Sequence, residues 1–405
     1  MLTALSSTLA ASLFACVVAA PPTLTILPLG TYPNAVSDDG TIVVGLRSGG
    51  AFRWTAAGGY EAIPAGPSVE LSTSCMISGN GLEIVADVPN QQGKLQAAFW
   101  EGGSTWSFLP AFVACDAFLL NPYDVNVDGS VAVGLAWFAN CQARAFRWDP
   151  VNGTVDLGTL VAGRSSRANA VNSVGDIIVG WQDTQNGQRV GAKWVNGVET
   201  YMPKYIAPNG QAYTVGEALA VNRAGSVIVG YNVFNAPAGP AWLWNGATNT
   251  VSALQNLPQF GGQDALALGV SDDGQTVVGT SGGLPFGRTA IIWQNGAPQN
   301  LKTVIESLGG SIAPYTQLGT CTAISPDGRT IVGWGAGPGQ PNGWILTFPA
   351  ECPEDIDGDG SVGPADLALV LGGWGAAKGP ADVDGDGAVG PADLALVLGA
   401  WGTCD

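Results

Sequence analysis

The chain has 405 residues, 46% apolar and 12% charged, with Gly 59 and Pro 26. That is too apolar for disorder, and after residue 20 no run of about 18 apolar residues offers a membrane span, which excludes a polytopic membrane protein. Histidine is absent, which removes Ser-His-Asp, Cys-His and His-metal chemistry, and 15 bases against 32 acids (net −17) cannot cover a nucleic acid.

In chain order, residues 1–20 read as an export signal, with an apolar core from Leu9 to Val18 and small residues at Val18-Ala19-Ala20. No Lys or Arg precedes that core, and a buried N-terminal helix is the alternative. Export implies a secreted or cell-surface protein. Removal of Cys16 leaves Cys75, Cys115, Cys141, Cys321, Cys352 and Cys404, an even set suited to disulfides.

The region 21–350 is repetitive. A turn of the form Ser/Asn-x-x-Gly recurs at Ser37–Gly40, Ser78–Gly81, Asn126–Gly129, Asn172–Gly175, Asn222–Gly225, Ser271–Gly274 and Ser325–Gly328, with glycine spacings of 41, 48, 46, 50, 49 and 54. Ser or Asn opening the turn and Gly at positive φ predict a bulged hairpin. A β-branched run follows each turn and ends in Gly in six copies (45, 134, 180, 230, 279, 333); the second copy has Ala86-Asp87 instead. A third segment ends in Trp54, Trp100, Trp148, Trp194, Trp244 and Trp293, with Leu346 in the seventh slot. Three residues earlier every copy is Ala or Gly, and two residues earlier every copy is apolar. Period two then gives one large and one small face, suited to sheets stacked face to face.

A weaker fourth segment follows (YEAIP, WSFLP, TVDLG, ETYMP, TVSAL, PQNLK) but is missing from the last copy. Seven units of four strands predict an all-β, seven-bladed β-propeller, with Thr23–Leu29 supplying the missing strand and closing the ring. An open β-solenoid is the rival architecture. The turns, Ser325-Pro326-Asp327-Gly328 among them, resemble those of TolB-type propellers. The full unit (Ala-Val-Ser-x-Asp-Gly, Val-Val-Gly, Ala-Phe-Arg-Trp) resembles the HAF-type extracellular repeat over about residues 23–350. Its namesake His is missing, since Gly50 and Arg144 precede Ala51 and Ala145. That resemblance implies an extracellular repeat without established chemistry.

Residues 351–405 hold 11 acids and one base, Lys378. DIDGDGSVGPAD (355–366) and DVDGDGAVGPAD (382–393) each fit a twelve-residue calcium loop. Asp355, Asp357 and Asp359 take the first three ligand positions, Ser361 offers its carbonyl and Asp366 closes the loop. Asp382, Asp384, Asp386, Ala388 and Asp393 repeat the set, which makes Ca²⁺ the expected cofactor. An acidic turn without metal is the alternative. A short helix should follow each loop, starting at Pro364 and Pro391, with apolar stripes Leu367/Val370/Leu371 and Leu394/Val397/Leu398. Cys352 and Cys404 bracket this small module and are expected to clip its ends. The tandem loop–helix units resemble type I dockerins, and Trp374-Gly375 with Trp401-Gly402-Thr403-Cys404 resembles the GC-type dockerin-anchored subgroup. The resemblance implies docking to a cohesin-like or other surface or scaffold protein. Pro364-Ala365 and Pro391-Ala392 stand where cellulosomal dockerins carry a polar cohesin-reading pair, which puts a conventional cohesin in doubt.

For the propeller, the loops after the second strands (134–144, 180–190, 230–240, 279–289) are the varied ones. Their Trp137, Phe138, Trp181, Phe234 and Phe286 are candidates for stacking a glycan, with packing between blades as the alternative. Cys115 and Cys141 fall on this face in the third unit and are expected to pair; Cys75 and Cys321 would have to meet across the channel mouth. No catalytic residue emerges: acids such as Asp183 and Glu217 lack catalytic spacing. The expectation is an exported, calcium-binding, dockerin-anchored binding or display module. A carbohydrate-active hydrolase or lyase on the same anchor is the alternative.

Overall fold

The computed structural model describes residues 21–405 except 48–49, 65–73, 113–118, 233–240, 261–264, 283–286, 337–340, 350–351, 358, 377–378, 385 and 405. The chain divides into two compact units, one of them Pro22–Phe348, with Pro349–Asp405 in the other. The expected export signal lies outside the described residues.

Pro22–Phe348 is a seven-bladed β-propeller. Among the described residues it holds seven four-stranded antiparallel sheets. Blade one is Thr31–Val36, Ile42–Arg47, Gly50–Thr55 and Gly59–Ile63, and blades two to six repeat this order. Blade seven takes Gln317–Ile324, Thr330–Ala336 and Pro341–Thr347, with Thr23–Leu29 as its outer strand. Thr23 pairs with Thr347 and Ile26 with Trp344, so the N-terminal strand closes the ring as the sequence predicts. A single cavity of about 150 Å³ is lined by Asn34, Met76, Asp124, Asn169, Leu219, Leu268 and Thr322, one from each blade. An open solenoid has no such common axis.

The stacking follows the predicted large and small faces. Each of seven apolar clusters joins two neighbouring blades. Ala145 of blade three meets Ala192 and Trp194 of blade four, and Ala241 of blade five meets Ile291 and Trp293 of blade six. Ala290 of blade six meets Trp344 and Leu346 of blade seven. Burial of side chains of this size stabilises each seam by roughly 1.5–3 kcal/mol per large residue.

The glycine that follows the β-branched run of the second strand in six blades has a steric cause. In six blades the first strand carries a bulge, at Asn34, Tyr123, Asn169, Leu219, Leu268 and Thr322. The bulge drives a carbonyl onto the second strand: a Cβ on Gly134 would lie 2.0 Å from the Asn121 oxygen, and one on Gly180 1.9 Å from that of Arg167. Among its described residues blade two has no bulge, since Cys75, Met76 and Ile77 pair in register with Ala86, Val85 and Ile84. Ala86 therefore fits, opposite the small Ala98. The adjacent Asp87 is fully buried, accepting from the Ser74 N–H and the Asn121 amide, which ties blade two to blade three.

Some expectations need correction. The segment PQNLK is not all strand: Ala297–Asn300 is, and Asn300 then caps a helix, Leu301–Ser307, accepting from the Lys302 N–H. A small hairpin, Tyr205–Ile206 with Tyr213 and Ala212, precedes blade five. Cys75 and Cys321 are free thiols in separate inter-blade clusters, so they do not bridge the channel. Burial pushes both thiols up. Cys141 is disulfide-bonded; its expected partner Cys115 lies outside the described residues.

In the C-terminal unit, helices Pro364–Gly372 and Pro391–Gly399 follow the two acidic loops. Ser361–Val362 pairs with Gly402–Thr403, and Cys352 bonds Cys404 at a Cα–Cα distance of 5.8 Å. Val362, Val370, Val389 and Val397 form the buried centre. The predicted stripes are narrower than expected, because Leu371 and Leu398 are exposed.

Candidate functional site

The two acidic loops are near copies in geometry as well as in sequence. The carboxylates of Asp355, Asp357 and Asp359 converge within 4.8 Å of one another, as do those of Asp382, Asp384 and Asp393. The backbone arranges them: the Asp359 N–H donates to Asp355 and Asp357, and the Gly360 N–H to Asp355. In the second loop the Gly387 N–H donates to Asp382, and the Asp386 N–H to Asp384. Gly360 and Gly387 hold φ of +90° and +95° at the sharp turn, conformations that a side chain would resist.

The closing acids are buried. Asp366 accepts from the N–H groups of Ile356, Asp357 and Gly363 at 2.7, 3.0 and 2.7 Å. Asp393 accepts from Val383, Asp384 and Gly390 in the same way. Burial raises the Asp366 carboxyl, but these three bonds outweigh it and hold the group below the ordinary range. Like charges do the opposite at Asp357: the Asp359 N–H lowers it, while burial and the carboxylates of Asp366, Asp359 and Asp355 raise it on balance. All-oxygen donors gathered by backbone geometry suit a hard divalent cation. Ser361 and Ala388 lie in the loops at the predicted carbonyl positions, and Asp386 stands outside the second converging group.

The propeller has a second convergence, which the repeat pattern did not reveal. On the side of the long loops, Arg167 Nη2 lies 2.8 Å from Glu217 Oε2 and Arg189 Nη1 3.5 Å from Glu217 Oε1. The Tyr231 hydroxyl donates to Glu217 at 3.3 Å. Arg189 also reaches Asp183 at 3.9 Å. Burial pushes the Asp183 carboxyl up against the pull of Arg189 and Arg164. Burial, reinforced by Glu217, pushes the Tyr231 phenol up. Arg167 and Glu217 occupy the same slot of successive blades, so a shared position carries opposite charges that meet across a seam.

Trp181 is only 3% exposed, with the guanidinium groups of Arg167 and Arg189 at 5.5 and 4.3 Å from its ring centre. It packs against protein and is not an open stacking face. Phe138 stacks on Phe112 at 4.7 Å with Arg144 over it, and Trp137 is half-buried beside it. Phe234 and Phe286 lie outside the described residues.

On the opposite side, the tight turns form a hydrogen-bonded chain from blade to blade. The Asp38 N–H donates to the Gly79 carbonyl, Asn80 to Val127, Ser173 to Arg223 and Asp272 to Pro326. Among the described residues no helix is long and apolar enough to cross a membrane.

No protein-family model and no curated protein matches the chain. Solved propellers do. The β-propeller domain of the trilobed protease from Pyrococcus furiosus, described as having an open velcro topology, aligns with a TM-score of 0.50 at 11% identity, over 81% of this chain and 96% of that one. The Cps50 (Swd1) β-propeller domain of Myceliophteria thermophila gives 0.49 at 10% identity, over 80% and 100%. TolB from Acinetobacter baumannii gives 0.41 at 11% identity, over 66% and 61%. The first of these shows a shared fold and no more.

Proposed function

We propose that the chain is an exported, calcium-binding protein whose C-terminal unit docks onto a cohesin-like or other surface or scaffold protein. The propeller serves as the binding or display module. The observation that carries this reading is the duplicated loop–helix unit with its converging carboxylates. Ca²⁺ would be held by Asp355, Asp357 and Asp359 with the Ser361 carbonyl, and by Asp382, Asp384 and Asp393 with the Ala388 carbonyl, with Asp366, Asp386 and the other loop oxygens completing each set. Matching apolar residues stand exposed on the two helices and just after them: Leu369 with Leu396, Leu371 with Leu398, Trp374 with Trp401. Exposed apolar residues at matching places in both copies support docking to protein. The resemblances to dockerins and to HAF-type repeats point the same way and rest on the residues alone.

Calcium titration of the full chain, followed by capture on immobilised cohesin-type and surface-layer modules with and without chelator, tests the reading. Two calcium ions per chain and chelator-sensitive capture are expected. No calcium uptake at about 1 mM, the weak end for extracellular modules, would reject it.

A second reading, a carbohydrate-active hydrolase or lyase on the same anchor, is favoured by the convergence of Arg167, Arg189, Asp183, Glu217 and Tyr231. It stands second because Arg167 and Arg189 enclose the Glu217 carboxylate and the Tyr231 phenol holds its proton, so of this group only the raised Asp183 carboxyl is suited to acid–base work.

A further inference from the structure

A cavity of about 370 Å³ lies between blades two and three and shares no lining residue with either site above. Its apolar wall includes Phe99, Phe108 and Trp148, and Phe99 and Trp148 lie 5.1 Å apart between ring centres. Its polar lining includes Glu83, Glu101 and Asp128, and among the described residues no Lys or Arg lines it. Asp128 is engaged by the N–H and hydroxyl of Ser130. Glu83 and Glu101 have no ion pair or side-chain hydrogen bond among the described residues.

Glu83 is also a departure from the repeat. It stands two residues after the turn glycine, at the start of the apolar run, where the other blades have Ile42, Val131, Ile177, Val227, Thr276 and Thr330. At this slot the side chain lies over the turn glycine of the next blade: Ile42 over Gly81, Val131 over Gly175 and Ile177 over Gly225. Glu83 keeps that packing, since a Cβ on Gly129 would meet its Cγ at 2.3 Å. The stem is thus pinned by the fold while the carboxylate stands at the cavity, where the other blades carry Ile, Val or Thr.

We propose that this cavity binds an organic ammonium cation, whose alkyl body meets the aromatic wall and whose charge is neutralised by Glu83 and Glu101. The volume lies in the range of small-ligand sites. Aromatic faces and carboxylates together select a bulky cation over a neutral or anionic solute. A metal ion fits poorly, because these three acids do not bring oxygens together as the loop acids do. This inference does not depend on the calcium-dependent docking reading.

The test is calorimetric titration of the full chain with choline, with its neutral isostere 3,3-dimethylbutan-1-ol, with a trimethyl-lysine peptide and with a neutral oligosaccharide. Saturable binding of the cations, with the neutral isostere weaker by about tenfold or more, is expected. Whichever of choline and the peptide binds tighter identifies the source of the cation. Glu83→Gln should weaken binding by about tenfold. Glu83→Ile restores the repeat residue, and should abolish binding while leaving thermal stability equal or higher. Equal affinity for the neutral isostere, saturation by the oligosaccharide instead, unchanged affinity in Glu83→Gln, or no saturable cation binding would each overturn the proposal.

Discussion

Arg223 of blade five forms an ion pair with Asp38 of blade one, although two blades separate them around the ring. The pair spans the mouth of the channel on the tight-turn side. The Arg223 N–H donates to Asp272 of blade six, which fixes the base of the side chain. A contact between non-neighbouring blades constrains the ring as a whole, whereas every apolar seam constrains only two. Both side chains are about three-quarters buried, so solvent screens the pair only in part.

Arg223→Met should therefore destabilise the propeller by about 1–3 kcal/mol, and so should Asp38→Asn. The double variant should lose clearly less than the sum of the two. Urea denaturation of the four proteins measures this, and additive losses would mean that the pair contributes nothing of its own.

The bulge account makes a paired prediction. Gly134→Ala places a methyl 2.0 Å from the Asn121 oxygen, with Phe146 at 2.9 Å on the other side. It should cost about 3 kcal/mol or more, or prevent folding. Ala86→Gly, at the same slot in the blade without a bulge, should cost about 1 kcal/mol. Comparable losses at the two positions would refute the steric cause.

Asp124 lines the channel and, among the described residues, accepts the N–H groups of Val125 and Val171. Burial pushes its carboxyl up to about 7, against those two bonds. The unfolded chain releases this proton near pH 3.9, so between about pH 4 and 7 the folded state binds more protons. Stability from this group is therefore full below about pH 4 and is lost as pH rises through 7. Asp124→Asn should become more stable than the parent as pH rises, by at most about 4 kcal/mol above pH 7. A stability difference that does not change with pH would contradict the assignment.

Asp357→Ala and Asp384→Ala should each remove one of the two calcium ions expected per chain. Chelation should lower the melting transition of the C-terminal unit, by mass action, and leave that of the propeller in place. Calcium titration with differential scanning calorimetry reads both. A single transition insensitive to chelator would count against metal-coupled stability.

The blade pattern was legible because its causes are local and recur: a cap residue, a turn glycine at positive φ, a glycine facing a bulge, a small residue opposite a Trp. The converging loop acids were legible for the same reason, since they lie within twelve residues of one another. Arg223 with Asp38, and Arg167 with Glu217, join non-repeating residues 185 and 50 positions apart, and nothing in the repeat marks them. Asp183 and Glu217 meet only because blades four and five are neighbours. Leu371 and Leu398 fit a helical stripe by spacing alone. Yet each helix buries only a narrow strip around Val370 or Val397, where it packs on the matching loop–helix copy.

The pairing of Thr23–Leu29 with Pro341–Thr347 has a consequence for biogenesis. A ribosome makes the first partner of that seam long before the second. Six sheets can collapse as they emerge, but blade seven keeps an unsatisfied edge until residue 347 is available, so ring formation is the slow, late event. Because the same two strands lie side by side, a force pulling on both of their outer ends would peel blade seven first and leave the other six sheets to unravel from that opening.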